Sequence, residues 1–188
     1  LGLRLKSFPL IEEIPVDWKG KYILCMANIE KRKNLHILIK AANKLEINLV
    51  IAGNIRDRDY YESLKINNFK NVLFTGPVKQ NSKKYYSLFR NASCFVLPST
   101  LETPGLAALE AAALNIPLVV THEGSSKEYF GGIETYYDGF KANLNELCEI
   151  IKYALEKPEK AIVDFDLIKE LTWDNVVLNQ IEVYKDLI

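Results

Sequence analysis

Two hydrophobic periods alternate along this chain. From residue 21, KYILCMANI is apolar over the length of a strand, and NLHILIKAANKL then places Leu35, Leu38, Ile39, Ala42 and Leu45 at helical spacing. The alternation continues. INLVIAGNI, NVLFTG, CFVLPS and IPLVVT read as further strands, with helices expected in RDYYESLKI, in NSKKYYSLFRNA and after Pro104. IETYYD, with Tyr136 and Tyr137, is a short candidate for a sixth strand. From residue 143 the pattern turns helical: NLNELCEIIKYALEK stops before Pro158, and TWDNVVLNQIEVYKDLI closes the chain with Thr172 placed as its cap. Neither an internal repeat nor a low-complexity segment interrupts this rhythm.

The early strands are continuous apolar runs rather than alternating ones, as expected of strands covered by helices on both faces. Strand–helix units of this kind predict an α/β fold, a Rossmann-like doubly wound parallel sheet of about six strands. Such sheets bind ligands beyond the carboxyl ends of their strands. The loops expected to carry chemistry are therefore 27–34, 53–57, 76–80, 98–104 and 121–128. Residues 1–20, with Pro9, Pro15 and Gly20, read as a linker or the remnant of a missing N-terminal domain, and 21–188 as one domain. Met26 is the only methionine and Leu1 is not a natural start, so the chain reads as part of something longer.

The stretch ETPGLAALEAAALNIPLVV concentrates the candidate chemistry. Thr103 is positioned to cap a helix and Pro104 suits a first helical position. Gly105 has no side chain to block approach, so the amides of Gly105 and Leu106 would point outward with the positive end of the helix dipole behind them, an anion site. Glu110 stands among Leu106, Ala107, Ala108, Leu109, Ala111, Ala112, Ala113 and Leu114. Either it lies on a solvated stripe of the helix, or it binds hydroxyl groups of a ligand, because an unpaired carboxylate among such neighbours is costly. Counted as two turns from the mouth, about 9 Å, it suits a ribose lying along the helix beyond a diphosphate. Glu102, at the edge of the same pocket, would repel a diphosphate and suits a neutral polyol, unless it is an ordinary acidic residue near a helix start. At the end of the first strand, EKRKN gathers Lys31, Arg32 and Lys33 before Asn34, a candidate cap. Cations at a helix start oppose its dipole unless an anion lies between them or water solvates them.

Composition narrows the classes. Twenty-four basic residues balance twenty-four acidic ones, so no overall field selects nucleic acid or an anionic membrane. No apolar run approaches the roughly 18 residues of a membrane span. Cys25, Cys94 and Cys148 are widely spaced and read as reduced, buried thiols; no Cys/His pair has metal-ligand spacing. His36 and His122 read as structural.

Together these residues resemble the donor-binding, C-terminal half of a family 4 glycosyltransferase with the GT-B architecture. That family carries two glutamates separated by seven residues, usually as EGFGL…LEAMA.G.PVV, and this chain has ETPGLAALEAAALNIPLVV. YILCMANIEKRKNLHILIKAANKL, LVIAG, NVLFTGPV, YYSLFRNASCFVLPS and EGSSKEYFGG are similar to the family's segments in the expected order, over about residues 20–188. The resemblance implies that Glu110 binds the ribose hydroxyls and Glu102 the transferred sugar. It implies that Gly105 and Leu106 present amides to the phosphates, with Thr103 and Pro104 at the mouth. Lys33 would neutralise the departing diphosphate, and Gly76, Pro77 and Val78 would pack on the base. The family often has Gly-Arg after its first strand. Here Ala27 and Asn28 stand there, and Asn28 belongs to the expected nucleotide contacts without supplying that charge; Arg32 is the candidate replacement.

The implied activity is retaining, hexosyltransferase-type glycosyl transfer from a nucleotide-diphospho-sugar donor, of the kind used in polysaccharide biosynthesis. Lys33, Glu102 and Arg32 would be the catalytic groups, with no metal and no cofactor. A sugar or lipid-linked acceptor would be held by a missing N-terminal domain, so the chain alone is expected to bind nucleotide weakly and to transfer nothing. A cytoplasmic protein is expected, with any membrane contact at the inner face made by the missing part, and no nucleic acid as partner. The alternatives are a sugar-nucleotide epimerase of similar architecture, a non-catalytic nucleotide-binding module and, more remotely, a phosphorylation-receiver domain, which lacks its cluster of aspartates here.

Overall fold

The computed structural model describes Trp18 and residues 22–66, 69–103 and 105–185. Of the linker expected over 1–20 only Trp18 is among them, and Pro104, expected at the helix mouth, lies outside. Six strands, β1 (Tyr22–Met26), β2 (Asn48–Ala52), β3 (Val72–Gly76), β4 (Cys94–Leu97), β5 (Leu118–Thr121) and β6 (Tyr136–Tyr137), form one sheet in the order β3-β2-β1-β4-β5-β6. Every pairing is parallel. This is the doubly wound α/β arrangement that the alternating pattern implies. The helices are α1 (Leu35–Lys44), α2 (Arg58–Lys65), α3 (Lys83–Arg90), α4 (Leu106–Ala113), α5 (Ser126–Phe130), α6 (Leu144–Glu156), α7 (Phe165–Glu170) and α8 (Trp173–Lys185).

Burial follows position in the sheet. β1, flanked by β2 and β4, buries Tyr22, Ile23, Leu24 and Cys25 completely, and β4 and β5 are buried throughout. β3 is an edge and stays half-buried along its whole length although it is as apolar as the others. The Tyr22 hydroxyl, too polar to be left unpaired in the core, donates to the Leu88 carbonyl of α3 at 2.6 Å. The helix starts obey local chemistry. Asp57, Ser82, Asn143 and Asp164 each accept a hydrogen bond from an amide in the first turn of α2, α3, α6 and α7. Thr172 directly precedes α8, and its carbonyl accepts from the Val176 amide at 3.0 Å.

The structure departs from the sequence pattern at three places. α5 lies inside the loop after β5, and a 3-10 turn (Pro158–Lys160) with α7 fills the stretch between α6 and α8; these five- and six-residue helices are too short to show a period. Asn34 occupies the N-cap of α1 but does not cap it with its side chain. Its backbone adopts the left-handed conformation (φ 51°), which asparagine tolerates, and its amide nitrogen donates to the carbonyls of Pro98 at 2.9 Å and Gly139 at 2.8 Å. One side chain thereby ties the exits of β1, β4 and β6. The strand ends crowd so closely that a Cβ on Gly53 would stand 1.8 Å from the Ala27 carbonyl oxygen.

Asn34→Ala would leave two buried carbonyls without their donor. It should lower the unfolding free energy by about 1–3 kcal/mol in urea titrations. Asn34→Asp, which has no donor, should fail to restore it.

Candidate functional site

A cavity of about 420 Å³ opens at the carboxyl ends of β1, β2 and β4, where the strand order reverses around β1. Crevices at such a switch point are where doubly wound sheets bind ligands. Its walls bring together nine of the residues singled out by sequence: Asn28, Arg32, Lys33, Pro77, Val78, Glu102, Gly105, Leu106 and Glu110. Two others, Gly76 and Thr103, are absent from the lining. Gly76 instead shapes the turn after β3, with φ +69° and its carbonyl accepting from the Gly53 amide at 3.0 Å.

The helix mouth forms two residues later than the sequence indicates. α4 starts at Leu106 with Gly105 as N-cap, so Thr103 neither caps it nor stands next to it. The reason lies in Glu102, whose backbone forms a parallel bridge with Gly124. Its amide donates to the Glu123 carbonyl at 3.4 Å and its carbonyl accepts from the Ser125 amide at 3.1 Å, holding the chain extended there. The Gly105 carbonyl then accepts from Ala108 at 2.8 Å and Leu109 at 3.0 Å. The first two helical residues, Leu106 and Ala107, have no carbonyl one turn back within the helix, so the outward-pointing amides expected of Gly105 and Leu106 fall one residue later. Glu110 is correspondingly nearer, four residues and about 6 Å along the axis from the mouth rather than two turns.

Glu110 is only 4% exposed, which rules out the solvated stripe. Gln80 donates through Nε2 to its Oε1 at 2.7 Å, and the Tyr85 hydroxyl donates to its Oε2. Burial raises the Glu110 pKa from the ordinary carboxylate value, and the Gln80 hydrogen bond pulls partly the other way. Gln80 and Tyr85 both line the cavity and were not singled out by sequence. A signal was there: Tyr85 shares the buried face of α3 with Leu88 and Phe89, and a buried tyrosine hydroxyl needs a partner.

Lys33 and Glu102 form an ion pair with side-chain exposures of 7% and 8%. Arg32 leans toward the same carboxylate with Nη1 3.8 Å from Oε1, while its Nε pairs with Glu30 at 2.7 Å and Nη1 donates to the Leu101 carbonyl at 3.3 Å. The crowding of basic residues after β1 is thus resolved by carboxylates of the protein itself, and Glu102 does not stand alone.

The remaining candidates lie elsewhere. The His36 ring is 3.0 Å from the Tyr60 hydroxyl and burial lowers its pKa. His122 sits between Glu123 at 3.2 Å and Asp138 at 4.0 Å. Neither histidine lines the cavity. Cys25, Cys94 and Cys148 are free and buried, and burial pushes the Cys25 thiol up to about 12. The chain contains two Asp-x-Asp triplets, at Asp57–Asp59 and Asp164–Asp166, but their first members cap helices and none of these aspartates lines the cavity. Among the described residues no helix is long and apolar enough to cross a membrane.

Comparison with known proteins points one way. A family model described as glycosyl transferases group 1 matches residues 9–162. An uncharacterised glycosyltransferase of Methanocaldococcus jannaschii is 29% identical over 92% of this chain and 46% of its own length. A sucrose-phosphate synthase structure from Thermosynechococcus elongatus superimposes with a TM-score of 0.74 at 22% identity, covering 93% of this chain and 46% of that one. A protein of Anabaena, solved in complex with UDP and glucose, superimposes with a TM-score of 0.70 at 20% identity, over 89% of this chain and 48% of that one. The chain spans about half the length of the curated relatives it matches.

Two outcomes follow from the charges. Lys33→Ala leaves Glu102 buried beside a distant guanidinium, and should cost about 3 kcal/mol of stability in chemical unfolding. Adding Glu102→Gln should recover much of that loss. Glu110, raised by burial, takes up a proton in the folded protein above 4.5, its ordinary value, before it would in the unfolded chain. The stability of the wild type relative to Glu110→Gln should therefore fall as pH rises through that interval and level off above it, as unfolding midpoints across pH will read.

Proposed function

The chain belongs to the group 1 glycosyl transferases, and we propose that its cleft binds a nucleotide-diphospho-sugar as the donor side of a retaining, hexosyltransferase-type enzyme. One observation carries the reading: a carboxylate buried in the wall of the cleft lies about one helical turn from a helix mouth that opens into the same cleft. On this reading Glu110 accepts hydrogen bonds from the ribose. The diphosphate lies against the amides of Leu106 and Ala107, with Gly105 leaving room for its approach. The base packs on the loop at Pro77 and Val78, beside the turn made by Gly76, and Asn28 borders the nucleotide at the end of β1. Glu102 holds hydroxyls of the transferred sugar. A cavity of about 420 Å³ suits a ligand of this size, and the UDP bound by the Anabaena protein supports the same chemistry here.

The difficult step is cleavage of the bond between the anomeric carbon and the phosphate oxygen. The electron pair leaves with the diphosphate and the sugar becomes oxocarbenium-like. Lys33, Arg32 and the helix amides stabilise that growing charge from fixed positions. We infer that these groups act in place of a divalent metal. On this reading the acceptor and the other wall of the cleft belong to another half of the complete protein, so this chain alone binds donor without transferring sugar. We place the complete protein in the cytoplasm, with any contact at the inner face of a membrane made by that other half. A second reading, a non-catalytic nucleotide-binding module, is favoured by the uncharged Asn28 at the end of β1.

A thermal-shift panel of UDP-, GDP-, ADP- and dTDP-sugars tests the reading. A ligand at a hundred times its Kd should add about 2.7 kcal/mol of stability, with no change when EDTA is added. Glu110→Ala should weaken the best ligand about tenfold or more in calorimetry. If no nucleotide-sugar stabilises the protein, the donor assignment is wrong; if one binds but the complete protein transfers nothing, the module reading stands.

A further inference from the structure

We propose that Tyr85 and Gln80 are positioning residues that pin the Glu110 carboxylate to receive a ribose diol, and that they make the cleft selective for ribonucleotides over deoxyribonucleotides. The proposal rests on the donor reading above and concerns how Glu110 performs its part in it.

The two donors take one oxygen each, Gln80 on Oε1 and Tyr85 on Oε2. An ionised carboxylate offers about four acceptor positions, so one remains on each oxygen. Two vicinal hydroxyls match that remainder, one to each oxygen. A single hydroxyl, as in a 2′-deoxyribose, leaves one oxygen unanswered in a buried setting, and sites built to bind a hydroxyl reject analogues lacking it.

The two donors are held differently. Tyr85 is 5% exposed, and its ring meets Phe89 edge-on with centroids 5.1 Å apart. Its backbone amide donates to the Ser82 side chain at 3.2 Å, fixing the first turn of α3. The phenol hydroxyl is therefore presented from a rigid element, and it fixes the plane of the carboxylate it reaches across 25 residues of sequence. Gln80 comes from the exposed loop that follows Val78, the loop assigned to the base. Ordering that loop over a base also orders Gln80, so occupation of the base site and alignment of the ribose carboxylate are mechanically linked.

A purely structural role, in which Glu110 merely satisfies the Tyr85 hydroxyl, predicts something different, because it would be blind to the ligand's hydroxyls. The test is calorimetry on whichever of UDP, GDP and ADP binds most tightly, alongside its 2′-deoxy and 2′,3′-dideoxy forms. Wild type, Tyr85→Phe, Gln80→Ala, Glu110→Ala and the two double variants are compared. The wild type should prefer the ribonucleotide about tenfold or more over the dideoxy form. Tyr85→Phe and Gln80→Ala should each weaken the ribonucleotide about threefold to tenfold, leave the dideoxy form within about twofold, and add nothing on the Glu110→Ala background. Equal losses on all three nucleotides, or none, would overturn the proposal while leaving the donor site intact. Absence of binding by any of them would overturn both. Gln80 is exposed, so its variant gives a reading even if Tyr85→Phe unfolds the protein.

Discussion

A carboxylate inside a helix made of leucine and alanine is the constraint on which this cleft is built. Glu110 has apolar neighbours on α4 and almost no access to water. Such a group stays in place only if polar partners come to it from elsewhere. Those partners come from the loop after β3 and from α3. The requirement thus fixes how three parts of the fold are set against one another beside the cavity that Glu110 lines. The fold supplies the donors that tolerate the charge.

The second constraint is the approach of β1 to β4. Because these strands are neighbours, the loops after them meet, and Lys33 and Glu102, 69 residues apart in sequence, become an ion pair. Asn34 braces the same junction through Pro98 and Gly139. A buried pair of this kind adds little net stability but is costly to break from one side. Its value is therefore better sought in placement: it holds a cation and an acid at fixed points on the rim of one cleft.

Much of the sheet was readable from local pattern, because buried strands and amphipathic helices differ in period. The strands, the helices α1, α2, α3, α4, α6 and α8, and the parallel doubly wound class all follow from it. What pattern does not encode is position. β3 reads like an interior strand, yet lies at the edge. α5 and α7 are shorter than two turns and have no period to detect. At the site, individual residues such as Glu110, Glu102 and Lys33 stood out by type and spacing, whereas the partners of Glu110 did not. Tyr85 was not singled out, and a bond between α3 and α4 depends on packing that no window of sequence contains. The misplaced start of α4 has the same origin. Thr103 and Pro104 are good local signals, overridden when the Glu102 backbone pairs with the loop around Gly124.

The charge balance around the cleft bears on how an anion could be held there at all. Lys33 faces Glu102, and Arg32 faces Glu30 and Glu102, so two of the three cations of the basic loop already face carboxylates of the protein. Asn28 adds no charge. A diphosphate approaching this arrangement meets an attraction that comes first from the amides at the start of α4. On the donor reading, a sugar whose hydroxyls donate to Glu102 takes over part of the role Lys33 now plays there. On that reading the Lys33 ammonium, held in place, has more of its charge left to offer the phosphate oxygens. Sugar and diphosphate would consequently strengthen each other's binding, because the sugar answers the acid and thereby frees the cation. On the same reading a nucleotide without its sugar would compete with Glu102 for Lys33, and the acid would gate the cation as well as bind the sugar.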